Sequence, residues 1–315
     1  MAIRAPFLYA GYFCWDKNSV MTEYSYTDAQ LQGLGGATEF VVTSGNFQNY
    51  FDATGAPDSY YLQVYVDRAV KLANRLYNMY GKKVWIGTPT VGLQNVVPHT
   101  ATVYAEVARR MTYFVDNVMV AFGGEAAFKS RVKGFYMSVE EVYDTFSSIS
   151  THPQVSMFQT VSNYVARFGM QMMWSPWWGT RNLENAAQII HRTNIFDYVF
   201  VQPNYYFRDK LSFNFKENCE AVREAVRTQK LCYQNKLQII PNAQITCHRA
   251  KIGCQMEIDS NCVEAADRLR YQHYVDVFGG STKAGTNFGF YFGCPVSASD
   301  TGYNAAKAEV SSFFS

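Results

Sequence analysis

The chain is poor in charge and carries it in no block. Charged residues are 17% of its 315 residues, the net charge is +2, and no run of five or more Lys and Arg occurs. A nucleic-acid partner would need a basic face or stripe, so none is expected. Long apolar runs are missing as well: there is no stretch of about 18 apolar residues to cross a bilayer, and no membrane partner is expected. The opening segment MAIRAPFLYAGYF has no apolar core followed by a cleavage site, so we expect a protein made without export or one whose leader has been removed.

The seven cysteines (Cys14, Cys219, Cys232, Cys247, Cys254, Cys262, Cys294) are odd in number and form no CxxC pair. That argues against a zinc site or a disulfide framework, and they read mainly as small buried apolar residues. The five histidines (His99, His152, His191, His248, His273) show no HxH or HxxxH pairing, so no catalytic metal is expected. No GxSxG elbow, GxxxxGK(S/T) loop or GxGxxG fingerprint is present, and no cofactor is expected. GLGGA (33–37) is too short and precedes a strand, and VFGGSTKAGTNFG (277–289) reads as a Gly-rich loop into the last strand.

What the chain does have is aromatic residues, 16% of the total, with 23 Tyr, 23 Phe and 5 Trp. Packing must account for most of them; the remainder suit the amphipathic walls of a cleft for flat-faced ligands such as sugars. Short apolar, β-branched or aromatic runs recur at 7–15, 38–45, 83–90, 132–140, 169–178, 197–207, 251–259 and 287–293. Stretches of helical periodicity separate them at 58–80, 100–122, 152–168, 183–194, 214–231 and 261–278. Alternation of this kind, without a Pro/Gly/Ser-rich linker, predicts an α/β fold in which residues 1–315 form a single (β/α)8 TIM barrel. LQIIPNAQI (237–245) is also strand-like, and is either the seventh strand or part of an insertion before it.

In such a barrel the active site is built at the C-terminal ends of the strands. In GFYMSVEEVY the two-residue alternation puts Tyr136, Ser138 and Glu140 on one face and Phe135, Met137, Val139 and Glu141 on the other. The first set is polar and faces the cavity, which makes Glu140 the inward acid and Glu141 a loop or helix-start residue. KIGCQMEIDSN repeats the pattern: Gln255, Glu257 and Asp259 alternate with Cys254, Met256 and Ile258. Two inward acids on the fourth and seventh strands suit glycosidic hydrolysis, in which one protonates the leaving oxygen and the other attacks the anomeric carbon or activates water. The plainer role for each is a helix cap or an Arg partner, and for Glu141 and Asp259 the residues alone favour it. Trp15, Asp16 and Asn46 follow the first two strands, Trp174, Trp177 and Trp178 close the fifth, and Gln202, Asn204 and Tyr205 close the sixth. With Tyr291 in the eighth strand, these are candidate sugar-binding groups.

The runs GFYMSVEEVY, MMWSPWW, FDYVFVQPNYYF, IGCQMEIDSN, RLRYQHYVDVFGG and FGFYFG together resemble the uncharacterised bacterial family catalogued as domain of unknown function 4855. The likeness covers roughly residues 7 to 295, and QPNYYF and QMEID are its most specific elements. It implies a barrel related to glycoside hydrolases. It also supports Glu257, Asp259, Gln202, Asn204 and Tyr205 as site residues, 251–259 as the seventh strand and 232–250 as an insertion. Gln255 stands where the family favours an acid, which removes a third carboxylate. KGFYMSVE is also loosely similar to the DGxDxDxE strand of family 18 glycoside hydrolases; it keeps Gly134 and Glu140 but replaces every Asp, so their substrate-assisted mechanism is not implied.

The expectation is therefore a glycoside hydrolase acting on a polysaccharide or glycan, with Glu140 and Glu257 as the catalytic acids. The alternatives are a non-catalytic carbohydrate-binding barrel and an effector scaffold.

Overall fold

The computed structural model describes residues 2–10, 14–15, 21–22, 26–34, 36–43, 59–89, 100–142, 148–207, 215–233, 235–291, 293 and 299–315. Eight parallel strands close into a barrel in the order β1 (Arg4–Tyr9), β4 (Phe40–Thr43), β5 (Val84–Gly87), β6 (Val132–Met137), β7 (Gln171–Trp174), β8 (Tyr198–Val201), β9 (Lys251–Glu257), β10 (Phe288–Tyr291) and back to β1. A two-stranded ribbon, β2 (Cys14–Trp15) and β3 (Met21–Thr22), stands apart from it. The helices are α1 (Asp28–Leu31), α2 (Ser59–Tyr80), α3 (Ala101–Ala121), α4 (Glu125–Arg131), α5 (Pro153–Ala166), α6 (Thr180–Arg192), α7 (Glu217–Thr228), α8 (Ala265–Phe278), α9 (Gly280–Lys283) and α10 (Thr301–Phe314). This is the (β/α)8 barrel that the alternation of runs predicts. No helix among the described residues is long and apolar enough to cross a membrane.

Alternation along the strands divides the core in two. Ala5, Phe7, Val41, Trp85, Tyr136, Met173 and Phe200 fill the barrel interior, and the opposite faces join the helices in a larger outer core. The interior takes its large rings by seating them on glycines. A Cβ on Gly134 would lie 2.1 Å from the Gln171 carbonyl oxygen and 2.6 Å from the Trp85 ring, and one on Gly253 would lie 2.3 Å from the Asn287 carbonyl oxygen and 2.6 Å from the Phe200 ring. Among the described residues most aromatics pack the outer core, as where Tyr65 stacks on Phe114 with centroids 5.2 Å apart.

Local chemistry sets the element ends. The Thr100 hydroxyl caps α3 by accepting from Val103 N, Pro153 opens α5, and Asp300 caps α10 by accepting from Tyr303 N. Gln229, left-handed at φ 57°, ends α7. Its side-chain amide then accepts from Ile252 N at 2.8 Å and donates to Ile252 O at 3.0 Å, which docks the helix end on β9.

The strand-like run 237–245 is not a barrel strand. Among its described residues it holds one bridge, Cys232 to Gln238, and a 3-10 turn at Asn242–Gln244, while Lys251–Glu257 takes the seventh place in the barrel. His191 of α6 anchors this segment: its Nε2 accepts from Leu231 N at 3.1 Å, and its carbonyl accepts from Thr246 N and Cys247 N. Burial, helped by the charges of His248 and Lys230, lowers the His191 pKa to about 4, which keeps Nε2 free to accept.

Candidate active site

The two acids stand at the C-terminal rim. Beyond β6 the alternation continues, and the segment carrying Glu140 is pinned from three sides. Ser138 N donates to Thr88 Oγ1 at 3.1 Å, the Trp174 indole donates to Val139 O at 2.7 Å, and Asn182 accepts from Val142 N at 2.9 Å while donating to Glu140 O at 3.1 Å. Glu140 is half-buried, and Tyr136, in the barrel layer beneath, donates its hydroxyl to Oε1 at 3.3 Å. Burial raises the Glu140 pKa to about 7; the Gln202 amide and the Tyr136 hydroxyl pull it down, and the charge of Glu141 pushes it further up. The Glu141 carbonyl accepts from Gln154 at 2.6 Å, which ties the backbone of the second acid to α5.

Glu257 ends β9, in register with Tyr291 on β10. Cys254, Met256 and Ile258 face the outer core, as the alternation requires. Glu257 is buried, with 1% of its surface exposed. Its Oε2 accepts the Tyr274 hydroxyl at 2.6 Å, and its Oε1 has no hydrogen-bond partner among the described residues. Burial raises its pKa to about 8, opposed by the Tyr274 hydroxyl and by backbone N–H groups of Asn204 and Tyr206, while the negative charge of Glu140 raises it further. The two acids therefore act on each other electrostatically, and neither is in an ion pair among the described residues.

The other candidates divide into groups. Trp177 pairs with Gln202 across a parallel bridge at the rim, and the Gln202 amide donates to Ser175 O at 2.9 Å. Gln255 is buried one layer lower, its amide against the Ser175 hydroxyl. Ser138, two residues before Glu140, is buried, its Oγ close to Gly87 and without a partner among the described residues. Tyr291 is half-buried, edge-on to Tyr9 and to Phe207 at 5.9 Å each, which makes an aromatic wall on the β1 and β10 side.

Three expected site residues are placed elsewhere. Trp174 and Trp178 lie in the outer core; Trp174 stacks on Phe196 at 5.0 Å, because its neighbour Met173 takes the inward position. Asp259 is occupied by structure: Oδ1 accepts from Tyr206 OH and Asn261 N at 2.9 Å each, and Oδ2 accepts from Asn261 Nδ2 at 3.0 Å. Asn204 takes a left-handed conformation, φ 53°, and Tyr205 is half-buried under α8. Asp16, Asn46 and the Trp15 side chain lie outside the described residues.

Sequence reading did not find Asn182, Thr88 or Tyr274. They come from helices and a neighbouring strand end, and only closure of the barrel brings them to the acids.

The model of the domain of unknown function DUF4855 matches residues 93–229. The resemblance read from the sequence therefore holds over GFYMSVEEVY, MMWSPWW and QPNYYF, while the QMEID strand lies beyond the matched segment. Among curated proteins none matches the chain. The fold is similar to a candidate alpha-L-fucosidase from Bacteroides thetaiotaomicron, at 12% identity over 99% of this chain and 96% of that one, with a TM-score of 0.56. It is also similar to a broad-specificity endoglucanase from Clostridium longisporum, at 11% identity over 92% and 86% with a TM-score of 0.53. The catalytic domain of the major endoglucanase from Xanthomonas campestris aligns at 12% identity over 100% and 95% with a TM-score of 0.52. At these identities the likeness is one of fold: the chain has the barrel used by glycoside hydrolases.

Proposed function

We propose that the protein is a glycoside hydrolase acting on a polysaccharide or glycan, with Glu140 as general acid/base and Glu257 as nucleophile or second base. The observation that carries this reading is the pair itself: two acids at the ends of the fourth and seventh barrel strands, coupled in charge, raised in pKa and without cationic partners among the described residues. A helix cap or a structural ion pair would lower a carboxyl pKa; burial without a counter-ion raises it, as a group that must hold a proton near neutrality requires.

Two carboxyls that repel one another titrate as a unit and keep one proton between them over a range of pH. Burial lifts Glu257 to about 8 and Glu140 to about 7, so in the free protein the shared proton rests on Glu257, and the roles proposed here require it to pass to Glu140 when substrate binds. Glu140 then protonates the glycosidic oxygen as the bond to the anomeric carbon breaks. Glu257 either attacks that carbon, to be displaced later by water, or takes a proton from the water that attacks it. Trp177, Gln202 and Tyr291 supply a stacking face, an amide and a phenol to the sugar ring. The fold shared with endoglucanases supports a saccharide as substrate.

The test is reducing-end release from a panel of polysaccharides by the wild type and by Glu140→Gln and Glu257→Gln. Loss of at least about 1,000-fold in both variants, with folding intact, is expected. Saturable glycan binding without any cleavage would replace this reading with a carbohydrate-binding barrel.

A further inference from the structure

Glu257 is held by a hydroxyl whose bonding capacity is fully used. A phenol has one proton to donate and two lone pairs to accept with. The Tyr274 hydroxyl accepts from the backbone N–H of Tyr205 at 3.0 Å and of Tyr206 at 3.1 Å, so its proton goes to Glu257 Oε2. Oε2 is thereby confined to accepting. Oε1 is buried, has no partner among the described residues, and is the oxygen left with unused capacity.

The loop that brings these two N–H groups together does not take its shape from local preference. Asn204 is left-handed at φ 53°, and a non-glycine residue in that region must be held there by its surroundings. The restraints come from α7 and α8. Asn218 donates to Pro203 O at 3.0 Å, and Arg270 donates to Tyr205 O at 2.5 Å while its guanidinium lies 4.9 Å from the centre of the Tyr205 ring. His273 packs edge-on against the same ring at 5.3 Å. Arg270, His273 and Tyr274 are spaced three and four apart, so one face of α8 grips the loop and the carboxyl together.

We infer that Tyr274 is a positioning residue that fixes Glu257 with Oε2 as a permanent acceptor and leaves Oε1 as the oxygen that meets the substrate. The inference rests on the hydrolase reading above. It adds an orientation to that reading: the proton of a protonated Glu257, or its bond to an anomeric carbon, is formed at Oε1. The titratable groups whose charge acts on the carboxyl are Glu140 from the end of β6, Tyr274 from α8, Cys219 from α7 and, from the opposite face of its own strand, Cys254. Of these, only Tyr274 donates a hydrogen bond to it.

The experiment is a carboxyl ¹³C NMR titration of glutamate-labelled protein, with the Glu257 resonance identified by its loss in Glu257→Gln, read alongside kcat and KM. Tyr274→Phe keeps the ring and removes the donor, and it should move the Glu257 midpoint upward and lower kcat 10- to 100-fold with KM nearly unchanged. Site-specific 3-fluorotyrosine at position 274 fills the same space with a stronger donor, so the midpoint should move the other way. A midpoint unmoved by both replacements, or a rise in KM with kcat preserved, overturns the inference and leaves the hydrolase reading standing. A wild type that cleaves no glycan overturns the hydrolase reading, and the role of Oε1 with it, whatever the midpoint does.

Discussion

Two acids that share one proton work only while that proton is present. The kcat/KM of the wild type should therefore be bell-shaped in pH, rising through about 7 as the first proton leaves the Glu140–Glu257 pair and falling through about 8 as the second leaves. A profile flat from pH 6 to 9 would show that the pair does not carry the reaction. The tryptophans separate structure from binding at the same scale. Trp174→Phe leaves the buried Val139 carbonyl without its donor and should cost about 1–3 kcal/mol of stability. Trp177→Ala, at the rim, should raise KM by an order of magnitude with little change in thermal midpoint, and urea unfolding alongside kinetics distinguishes the two. The inward acids were legible in the sequence because Tyr136, Ser138 and Glu140 share a parity that Phe135, Met137 and Val139 do not. That Trp174 faces away from the site follows from the same parity applied to Met173, but three tryptophans in five residues read as one cluster when parity is ignored. Tyr274 and Asn182 were not legible, since nothing in their own segments refers to the strands they serve.

Strand positions followed from the apolar runs, but their C-terminal ends were placed too far along. The run at 197–207 yields a strand of Tyr198–Val201, and the run at 169–178 yields Gln171–Trp174. Residues that line a rim are of the same aromatic and amide types as those that end a strand, so composition cannot separate them. The helical runs in the sequence stop at 278 and leave out α10, although Tyr303, Ala306, Val310 and Phe313 are spaced as one buried helical face. The seating of interior rings on glycine gives a prediction for the elements themselves. Gly134→Ala sets a methyl group against the Gln171 carbonyl, which backbone cannot yield, and should cost about 3 kcal/mol or more by urea unfolding. Unchanged stability in that variant would mean that the β6–β7 spacing is wrong. His191 gives a second prediction. Its native pKa is about 4 against an ordinary 6.5, so the unfolded chain binds its proton first and stability falls as pH drops from about 6.5 to about 4. The protection factor of the Leu231 amide, which corrects for the slower intrinsic exchange in acid, should fall over that window in the wild type and show no such step in His191→Gln.

Across the whole molecule, the candidate site works against folding. A carboxyl with an ordinary pKa of 4.5 that stays protonated up to about 8 in the native state leaves the unfolded chain with fewer protons over that interval. Stability is unaffected by Glu257 below about pH 4.5 and declines as pH rises toward 8, by on the order of a few kcal/mol. Glu257→Gln should consequently unfold at a higher temperature than the wild type at pH 8 and at nearly the same temperature at pH 4.5. A variant that is less stable at pH 8 would show that the charge is compensated in the native protein, against the burial described above. Stability surrendered at two residues of an otherwise well-packed barrel is what a site kept for chemistry would show. The most direct test of that chemistry is the initial rate of reducing-end release near pH 7.5 from a polysaccharide panel, measured for the wild type, Glu140→Gln and Glu257→Gln. The wild type should cleave at least one glycan and each variant should lose that cleavage; cleavage that survives both substitutions would show that the two acids do not carry the reaction.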